Sequence, residues 1–348
     1  MKRVLLIGAG HAHAVVLRAL AKEPLLGARI DFVAPRPVQL YSGMLPGIAA
    51  GHYAAAEAEI DFGSLAERAY AECIEGSVAR LDLARRVAVL SDGRSLDYDI
   101  VSLNVGSRVD VSVPGAEYAL PAKPFERLLQ ALDGARRIAL AGAGAAGAEL
   151  AMALRYRGAD AVTLYSDKAM FTPVLAQRVE RVLRRAGVDF RPGMAIDAIE
   201  PGRVVRSGTT RQEFDLVLLT TGARALAWPA DCGLAADGEG FVRVGRTLQS
   251  VSHPEVFAAG DCAALEGSRE PRSGVIAVRH GAALHRNLAA AVRGLPLAGY
   301  EPNPAALALI SCGTRYAIAA RGGFVAEGRW AWYWKDWIDR RWVRSLKA

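Results

Sequence analysis

The sequence predicts an α/β protein with two similar units of parallel sheet and helix, the second inserted in the first. Three observations lead to this prediction: a glycine-rich turn at residues 8–10, another at 142–147, and a Gly-Asp pair at 260–261. Each turn follows a short apolar run that is typical of a buried parallel strand, and each precedes an alanine-rich helix. Two such segments in one chain indicate two copies of one architecture.

The first turn contains Gly8 and Gly10 and follows the apolar residues 4–7. Glycines at these positions allow a tight turn and the close approach of a pyrophosphate, which binds at the N-terminus of the following helix. His13 stands where a third glycine is expected, so the helix should lie slightly farther from the sheet. Two interpretations of His11 and His13 stay open: they fill space beside the phosphate, or they tune a bound ring or a proton path.

The second turn is complete, with Gly142, Gly144 and Gly147 in a strand–turn–helix context. The chain is therefore predicted to fold into two Rossmann-like domains, each of which binds a dinucleotide. Two dinucleotides held in one chain allow electrons to pass between them.

An acidic residue for a ribose hydroxyl is expected at the end of the second strand of each unit. Ala34 and Ser166 stand there instead, and Asp31 falls inside its strand. Arg36 follows closely and is predicted to contact the adenosine. Ser166 lacks the carboxylate that would repel a 2′-phosphate, so NADH and NADPH are both allowed.

The remaining pattern repeats between the units. We predict a helix over residues 60–72, a β-meander over 77–97, a helix over 174–186, a pair of strands near Val204, and matching strands at 98–107 and 214–223. This repeat predicts a first domain of residues 1–108 and 240–300, an inserted domain of 109–239, and a C-terminal segment of 301–348.

Composition narrows the function classes. The chain has 348 residues, enough for two cores, and a formal net charge of +7. Its arginines are scattered, so nucleic-acid binding is not expected, and anionic cofactors or an anionic membrane surface are better partners for the charge. No segment is predicted to span a membrane and no signal peptide is visible, so a cytoplasmic location is expected.

The four cysteines, Cys73, Cys232, Cys262 and Cys312, are far apart in the sequence. They form no redox pair and no metal-ligand cluster, so no metal site is predicted. We expect them to be small buried side chains.

The ordered set of motifs resembles the two-dinucleotide-domain flavoproteins, the pyridine nucleotide-disulfide oxidoreductase-like family. The motifs of this set are, in chain order, Gly8-x-Gly10, Asn104-Val105-Gly106, Gly142-x-Gly144-x-x-Gly147-x-Glu149, Thr221-Gly222 and Ala259-Gly260-Asp261. Within this family the chain is similar to the type II NADH dehydrogenase and sulfide:quinone oxidoreductase branch. Residues 8–13, 40–47 and 335–341 resemble the flavoprotein associated with selenide, water dikinase.

The resemblance implies FAD in the first domain and NAD(P)H in the second. Val78 would offer backbone atoms to adenine, and Asp261 would bind the ribitol. A turn at 279–281 would open a helix over 282–292 toward the flavin. Glu149 would lie near the nicotinamide, and Glu149 and His280 are the candidate catalytic residues. The predicted cofactor-binding residues are Gly8, Gly10, His11, Arg36, Ser42, Val78, Asn104, Gly106, Gly142, Gly144, Gly147, Ser166, Gly222, Gly260 and Asp261.

The implied reaction passes hydride from NAD(P)H to FAD and electrons on to a small-molecule acceptor, with a quinone favoured by the branch. Residues 40–47 lack a cysteine pair, which disfavours direct disulfide reduction. The alternatives are a flavoprotein that oxidises sulfide or a selenium compound, and a flavin-binding redox sensor with low turnover.

The C-terminal segment is rich in tryptophan. Trp330, Trp334, Trp337 and Ile338 share one face of a predicted helix, with Arg341 near its edge. These aromatic residues either cover the first domain, pack against a partner in a homodimer, or contact the inner face of the cytoplasmic membrane as an interfacial helix.

Overall fold

The computed structural model describes residues 1–168, 171–268, 270–303 and 305–347. The strands in these ranges are β1 (Lys2–Ile7), β2 (Ala28–Ala34), β3 (Val38–Leu40), β4 (Glu59–Asp61), β5 (Ala71–Glu75), β6 (Val78–Asp82), β7 (Val87–Leu90), β8 (Ser95–Asp97), β9 (Ile100–Leu103), β10 (Arg108–Val109), β11 (Leu120–Pro121), β12 (Arg137–Ala141), β13 (Ala161–Ser166), β14 (Asp189–Pro192), β15 (Ala198–Glu200), β16 (Val204–Ser207), β17 (Thr210–Glu213), β18 (Leu216–Leu219), β19 (Ala223–Arg224), β20 (Val242–Val244), β21 (Val256–Ala258), β22 (Ala263–Leu265), β23 (Ala308–Ser311), β24 (Ala317–Arg321) and β25 (Phe324–Gly328). The helices are α1 (His11–Lys22), α2 (Leu45–Ala49), α3 (Phe62–Arg68), α4 (Phe125–Ala131), α5 (Ala145–Arg157), α6 (Pro173–Arg185), α7 (Trp228–Asp231), α8 (Gly274–Arg293) and α9 (Arg329–Lys347).

Two parallel five-stranded sheets form the framework. The first has the strand order β21-β9-β1-β2-β5 and the second the order β11-β18-β12-β13-β14. In each sheet the strand before a glycine turn lies at the centre, because β1 pairs with β2 and β9, and β12 pairs with β13 and β18. The predicted α/β fold class with two Rossmann-like units is confirmed.

Each sheet carries its own hydrophobic cluster. The first contains Leu6, Phe32 and Phe257, and the second contains Leu140 and Leu218, all fully buried. These clusters reflect the apolar runs of the central strands, which are covered on both faces as parallel strands usually are.

A third cluster joins the C-terminal segment to the loop after β3. Met44, Ile48 and Tyr53 of this loop pack against Trp332 and Val343 of α9. The antiparallel sheet β23-β24-β25 supports α9 beside this contact. The C-terminal segment is therefore anchored on residues that follow the first glycine turn.

Several local predictions are confirmed and others are wrong. The β-meander forms as β6-β7-β8, and the helix predicted over 174–186 is α6. The helix predicted over 60–72 is too long, since α3 covers only 62–68, residues 60–61 belong to β4 and residues 71–72 begin β5. Asp61 caps α3, because its carboxylate accepts from the amide of Ser64, and the helix therefore begins at Phe62. The strands near Val204 form a sheet of three, β15-β16-β17, rather than a pair.

The helix predicted over 282–292 begins earlier. Its true start is Gly274, capped by the hydroxyl of Ser273, which accepts from the amide of Ile276. Residues 279–281 are interior to α8, so the predicted turn there is wrong.

The segment after β19 packs on the first unit. Trp228, Cys232 and Leu234 contact the first hydrophobic cluster, although the sequence placed them in the inserted domain. The chain therefore returns to the first unit before residue 240.

Candidate functional site

A cavity of about 390 Å³ lies at the carboxyl end of the first sheet, against the first glycine turn. Its walls come from both units and from the start of α8. The lining residues are Ile7, Gly8, Ala9, Gly10, His11, Val33, Pro35, Gln39, Leu40, Ser42, Gly76, Ser77, Val78, Asn104, Val105, Gly106, Ser107, Lys123, Phe125, Leu226, Trp228, Asp261, Gly274 and Ala277. This is where a ligand binds in an open parallel sheet, at the strand ends.

Glycine is required at two positions of the first turn. Gly8 has φ +100°, a conformation that side chains rarely adopt, and a Cβ there would meet the backbone of Asn104. A Cβ on Gly10 would overlap the side-chain amide of the same Asn104. Gly10 is also the residue before α1, so the first free amides of that helix face the cavity, which suits an anion.

Asn104 holds this turn through its side chain. Its Oδ1 accepts from the amide of His13 at 3.1 Å, and its Nδ2 donates to the carbonyl of Ala259 at 2.6 Å. The side-chain amide of Asn104 is therefore engaged by backbone groups. Asn104 lines the cavity and connects the end of β9 to the start of α1 and to the residue after β21.

His13 is fully buried behind the turn. Its Nδ1 lies 2.7 Å from the carbonyl oxygen of Gly8 and its Nε2 lies 2.8 Å from the hydroxyl of Ser102. Because a carbonyl only accepts, Nδ1 carries the proton and Nε2 accepts from Ser102. Burial lowers the pKa of His13 to about 4, so the ring is neutral at ordinary pH.

His11 faces the cavity itself. Its ring packs edge-on against Tyr41, with 5.4 Å between centroids, and its buried Nε2 has no hydrogen-bond partner among the described residues. Burial lowers the pKa of His11 to about 4, partly offset by the charge of Asp261. A neutral imidazole with a free nitrogen is thus available to a ligand here.

The Gly-Asp pair brings a carboxylate to the same cavity. Asp261 accepts from the hydroxyl of Ser107 at 3.3 Å and lies 3.6 Å from the ammonium of Lys123. Gly260 has φ +69°, and a Cβ there would meet Asn104. Lys123 belongs to the inserted unit, so residues of both units line the cavity.

His280 lies on the other side of Gly260. Its Nδ1 accepts from the amide of Gly260 at 3.1 Å, and its Nε2 lies 3.6 Å from the carboxylate of Glu270. Glu270 also accepts from the hydroxyl of Tyr300 at 2.9 Å. His280 borders a separate cavity of about 420 Å³ rather than the one at the glycine turn. Its contribution to the first cavity is to hold the Gly260 turn.

The second glycine turn repeats the first. Gly142 has φ +102°, and Gly144 precedes α5. A Cβ on Gly147 would overlap the carbonyl of Gly142, which accepts from the hydroxyl of Thr220 at 2.7 Å. At the end of β13, the hydroxyl of Ser166 donates to the carbonyl of Lys168 at 2.8 Å.

Glu149 is half-buried in the second turn of α5. Its carboxylate accepts from the amide of Ser311 at 2.8 Å. Burial raises its pKa to about 7, although Lys335 and the Ser311 amide favour the ionised form. This carboxyl can therefore gain or lose a proton near neutral pH.

Lys335 of α9 reaches the loop beside the first cavity. Its ammonium donates to the carbonyl of Gly43 and to the carboxylate of Asp339, both at 2.6 Å. Tyr41 donates to the same carboxylate at 3.2 Å. These hydrogen bonds connect α9 to Tyr41 and Gly43, the two neighbours of Ser42, which lines the cavity.

The predicted cofactor-binding residues divide into four groups, one of which is Gly260 alone, on the wall of the separate cavity that His280 borders. Those that line the first cavity are Gly8, Gly10, His11, Ser42, Val78, Asn104, Gly106 and Asp261. Gly142, Gly144 and Gly222 lie beyond the strand ends of the second sheet, Ser166 is the last residue of β13, and Gly147 lies in the first turn of α5 beside them. Arg36 is exposed and does not line this cavity, so its contact with the adenosine stays a prediction. Lys123, Phe125 and Trp228 line the cavity and carry no motif in the sequence, because they reach it only through the packing of the two units.

The tryptophan face of α9 is exposed on this chain. Trp330, Trp334 and Trp337 are 51%, 41% and 57% exposed, whereas Trp332 is buried. The face therefore does not cover the first domain. The two other predicted uses, contact with a partner subunit and contact with a membrane surface, remain. Within the described ranges, no helix combines the length and apolar character needed to span a bilayer.

The cysteines differ from one another. Cys262 and Cys312 are buried as predicted, and burial raises their thiol pKa values to about 11 and about 12. Cys73 is exposed, so the prediction of burial is wrong there because β5 is an edge strand. Both buried cysteines are held as thiols, which are poor nucleophiles.

Two glycine turns at the carboxyl ends of two parallel sheets define the class of two-domain oxidoreductases whose cofactors are FAD and NAD(P)H. The chain belongs to the pyridine nucleotide-disulphide oxidoreductase family, whose model matches residues 2–281.

Known proteins of several kinds are similar to it. Ferroptosis suppressor protein 1 of Taeniopygia guttata is 28% identical over 272 residues, which cover 72% of this chain and 71% of that protein. An NADH dehydrogenase-like protein of Mycobacterium tuberculosis is 30% identical over 246 residues, covering 61% of this chain and 60% of that protein. The fold is similar to that of the sulfide:quinone oxidoreductase of Aquifex aeolicus, with a TM-score of 0.83, 18% identity, and coverage of 99% of this chain and 91% of that one.

Proposed function

We propose that this protein is an FAD-dependent NAD(P)H oxidoreductase that passes electrons to a quinone. The observation that carries the proposal is the pair of glycine turns, each of which opens a helix at the edge of a parallel sheet in one chain. Residues 1–108 and the segment from Trp228 to residue 300 would hold FAD, the inserted residues 109–227 would hold NAD(P)H, and residues 301–348 would pack beside the flavin.

The first cavity fits FAD by its chemistry. Gly8 and Gly10 leave the backbone open for a pyrophosphate at the start of α1. Asp261 offers a carboxylate to ribitol hydroxyls, and the unpartnered Nε2 of His11 offers one more polar contact. The wall formed by Gly76, Ser77 and Val78 suits the adenine end.

The second turn fits a nicotinamide dinucleotide for the same physical reason. Gly142 and Gly144 bring the free amides of α5 to the strand edge, as Gly8 and Gly10 do for α1. Ser166 stands where a ribose carboxylate is usual, so either NADH or NADPH is a suitable donor.

Bound FAD would take hydride from NAD(P)H and give two electrons to the acceptor. The protein positions the two cofactors, and Lys123 beside Asp261 supplies a cation at the cavity. A quinone that takes two electrons also takes two protons to become a quinol, one of which derives from the hydride. Glu149 is our candidate for holding the second proton, because its carboxyl is buried and its pKa is about 7.

The choice of a quinone is supported by the exposed aromatic face of α9. Tryptophans beside arginines such as Arg341 suit the boundary of a membrane, where quinones are dissolved. We propose that this face brings the protein to the inner surface of the cytoplasmic membrane. A role for it in a homodimer is the competing use.

Oxidation of sulfide or of a selenium compound is the enzymatic alternative. It would need a reactive thiolate, whereas Cys262 and Cys312 are buried thiols and neither lines the cavity. A redox sensor would bind the same cofactors, and only its failure to turn over would separate it from an enzyme.

An anaerobic titration tests the proposal. The purified protein is titrated with NADH and then NADPH while the flavin absorbance is followed. Rapid bleaching by either donor, followed by recovery on addition of a quinone, is the expected result. A bound flavin that neither donor reduces would contradict the proposal, and reduction without reoxidation by any acceptor would favour the sensor.

A further inference from the structure

The carbonyl oxygens of Gly8 and Gly142 occupy equivalent places in the two units. Each belongs to the residue after a central strand, and the flanking strands match as well, because Ile7 pairs with Leu103 and Ala141 pairs with Leu219. A buried carbonyl at such a place needs a hydrogen-bond donor, since an unpaired one is costly.

The second unit supplies this donor from its sheet. The hydroxyl of Thr220, directly after β18, lies 2.7 Å from the carbonyl oxygen of Gly142 and 2.9 Å from that of Ala141. We assign its proton to Gly142, because that carbonyl is nearer and the carbonyl of Ala141 already accepts from the amide of Thr220 at 2.9 Å. Helix α5 then approaches so closely that a Cβ on Gly147 would overlap the same carbonyl. The third glycine of the motif is required here because the donor comes from the strand side.

The first unit supplies the donor from its helix. Asn104, in the place of Thr220, is already engaged with the amide of His13 and the carbonyl of Ala259. His13, in the place of Gly147, donates through Nδ1 to Gly8 at 2.7 Å. Its Nε2 is anchored by Ser102, which is fully buried in β9.

We infer that His13 is a positioning residue for FAD, which replaces the third glycine of the motif and performs in the first unit the task of Thr220 in the second. By holding the carbonyl of Gly8, it keeps the amides at the start of α1 directed at the pyrophosphate. This inference rests on the proposed binding of FAD at the first turn. The first unit therefore lacks the third glycine because its hydrogen-bond donor comes from His13, where the second unit uses Thr220.

Four variants of the full-length protein test the inference: His13→Gly, His13→Asn, His13→Gln and Thr220→Val. The side-chain nitrogen of asparagine falls near the place of Nδ1, and that of glutamine near the place of Nε2. The affinity of each apoprotein for FAD is measured by the quenching of flavin fluorescence, and the melting temperature of the apoprotein is recorded beside it.

We expect His13→Gly and His13→Gln to weaken FAD binding on the order of tenfold, although the first restores the complete glycine motif. His13→Asn should stay within about threefold of the unchanged protein. Thr220→Val should weaken NAD(P)H binding and leave FAD affinity unchanged.

Tight FAD binding by His13→Gly, or equal affinities of the asparagine and glutamine variants, would overturn the inference. The asparagine–glutamine comparison keeps the test valid if the glycine variant is unstable, because both side chains carry the same neutral amide and differ in where its nitrogen falls. The melting temperatures show whether the extra methylene of glutamine disturbs the packing. Unchanged protein that takes up no FAD would instead refute the proposed function, and with it this inference.

Discussion

Asn104 and Glu149 illustrate how single side chains order the site. Asn104 connects the start of α1, the end of β9 and the residue after β21 through two hydrogen bonds. Glu149 connects α5 to β23 through the amide of Ser311. Asn104 was predicted from a motif as a cofactor contact, and its main effect is on backbone geometry. Glu149 was predicted from the family resemblance, and the desolvation of its carboxyl raises its pKa to about 7.

Replacing Glu149 by glutamine should change how stability depends on pH. The folded pKa of about 7 lies above the ordinary 4.5, so the folded state binds more protons than the unfolded state between these values. The unchanged protein should therefore lose stability relative to Glu149→Gln as pH rises from 4.5 to 7, by up to about 3 kcal/mol.

Urea denaturation of both proteins across this pH range measures the difference. Glutamine can still accept from Ser311, so the comparison isolates the ionisation of the carboxyl. Parallel stability curves would show that Glu149 titrates normally.

Helices α8 and α9 show what capping and contacts decide at the scale of an element. Helix α8 begins at Gly274 because Ser273 caps it, which places His280 two turns into the helix. Helix α9 buries Trp332, Val343 and Leu346 and leaves the tryptophan face exposed. Removing α9 would therefore destroy its buried contacts as well as its exposed tryptophan face, so point substitutions are the cleaner test of what the face does.

Changing Trp330, Trp334 and Trp337 together to glutamine should weaken binding to vesicles of anionic phospholipid at least about tenfold. Reduction of a membrane-dissolved quinone should fall with it, while reduction of ferricyanide stays unchanged, because the flavin site is untouched.

Tyr70→Gln is a control for the loss of an exposed aromatic side chain, since Tyr70 is 77% exposed and lies outside α9. Equal loss of quinone and ferricyanide reduction would mean that the aromatic face supports the fold or a dimer instead. Unchanged vesicle binding would likewise contradict membrane contact.

At the scale of the whole molecule, the two units are similar but jointly form one cavity. Lys123 and Phe125 of the inserted unit line the cavity of the first unit. The loop after β3 packs against α9 through Lys335 and Gly43. Electron transfer between two cofactors depends on this arrangement, whereas the binding of each cofactor depends on its own glycine turn.

Gly147→Ala should therefore separate the two binding functions. The added methyl group overlaps the carbonyl of Gly142 and forces α5 away from its strand, at a cost of about 1–3 kcal/mol. We expect flavin reduction by NAD(P)H to slow roughly 10- to 100-fold. The flavin content and its reduction by dithionite should be unchanged.

Gly245→Ala is the control, because a Cβ at Gly245 meets open space. Stopped-flow measurement of flavin bleaching reports the rate. Normal reduction in Gly147→Ala, or loss of flavin from it, would contradict the assignment of the second turn to NAD(P)H.

The sequence by itself determined the two units, their central strands and their glycine turns. These features depend on neighbours in the chain: an apolar run makes a buried strand, and glycine permits the positive φ of Gly8 and Gly142. The family motifs extended this to Asp261 and Glu149. The fold class and many of the residues that line the first cavity can therefore be predicted from the pattern of neighbouring residues in the sequence.

Tertiary structure alone decided the partners of the polar side chains. His13 meets Ser102, 89 residues away, and Glu149 meets Ser311, 162 residues away. It also decided which tryptophans of α9 are buried, that Lys123 enters the cavity, and that Arg36 lies outside it. A hydrogen bond or a buried face requires the approach of a distant segment, and the spacing of residues along one segment does not encode that approach.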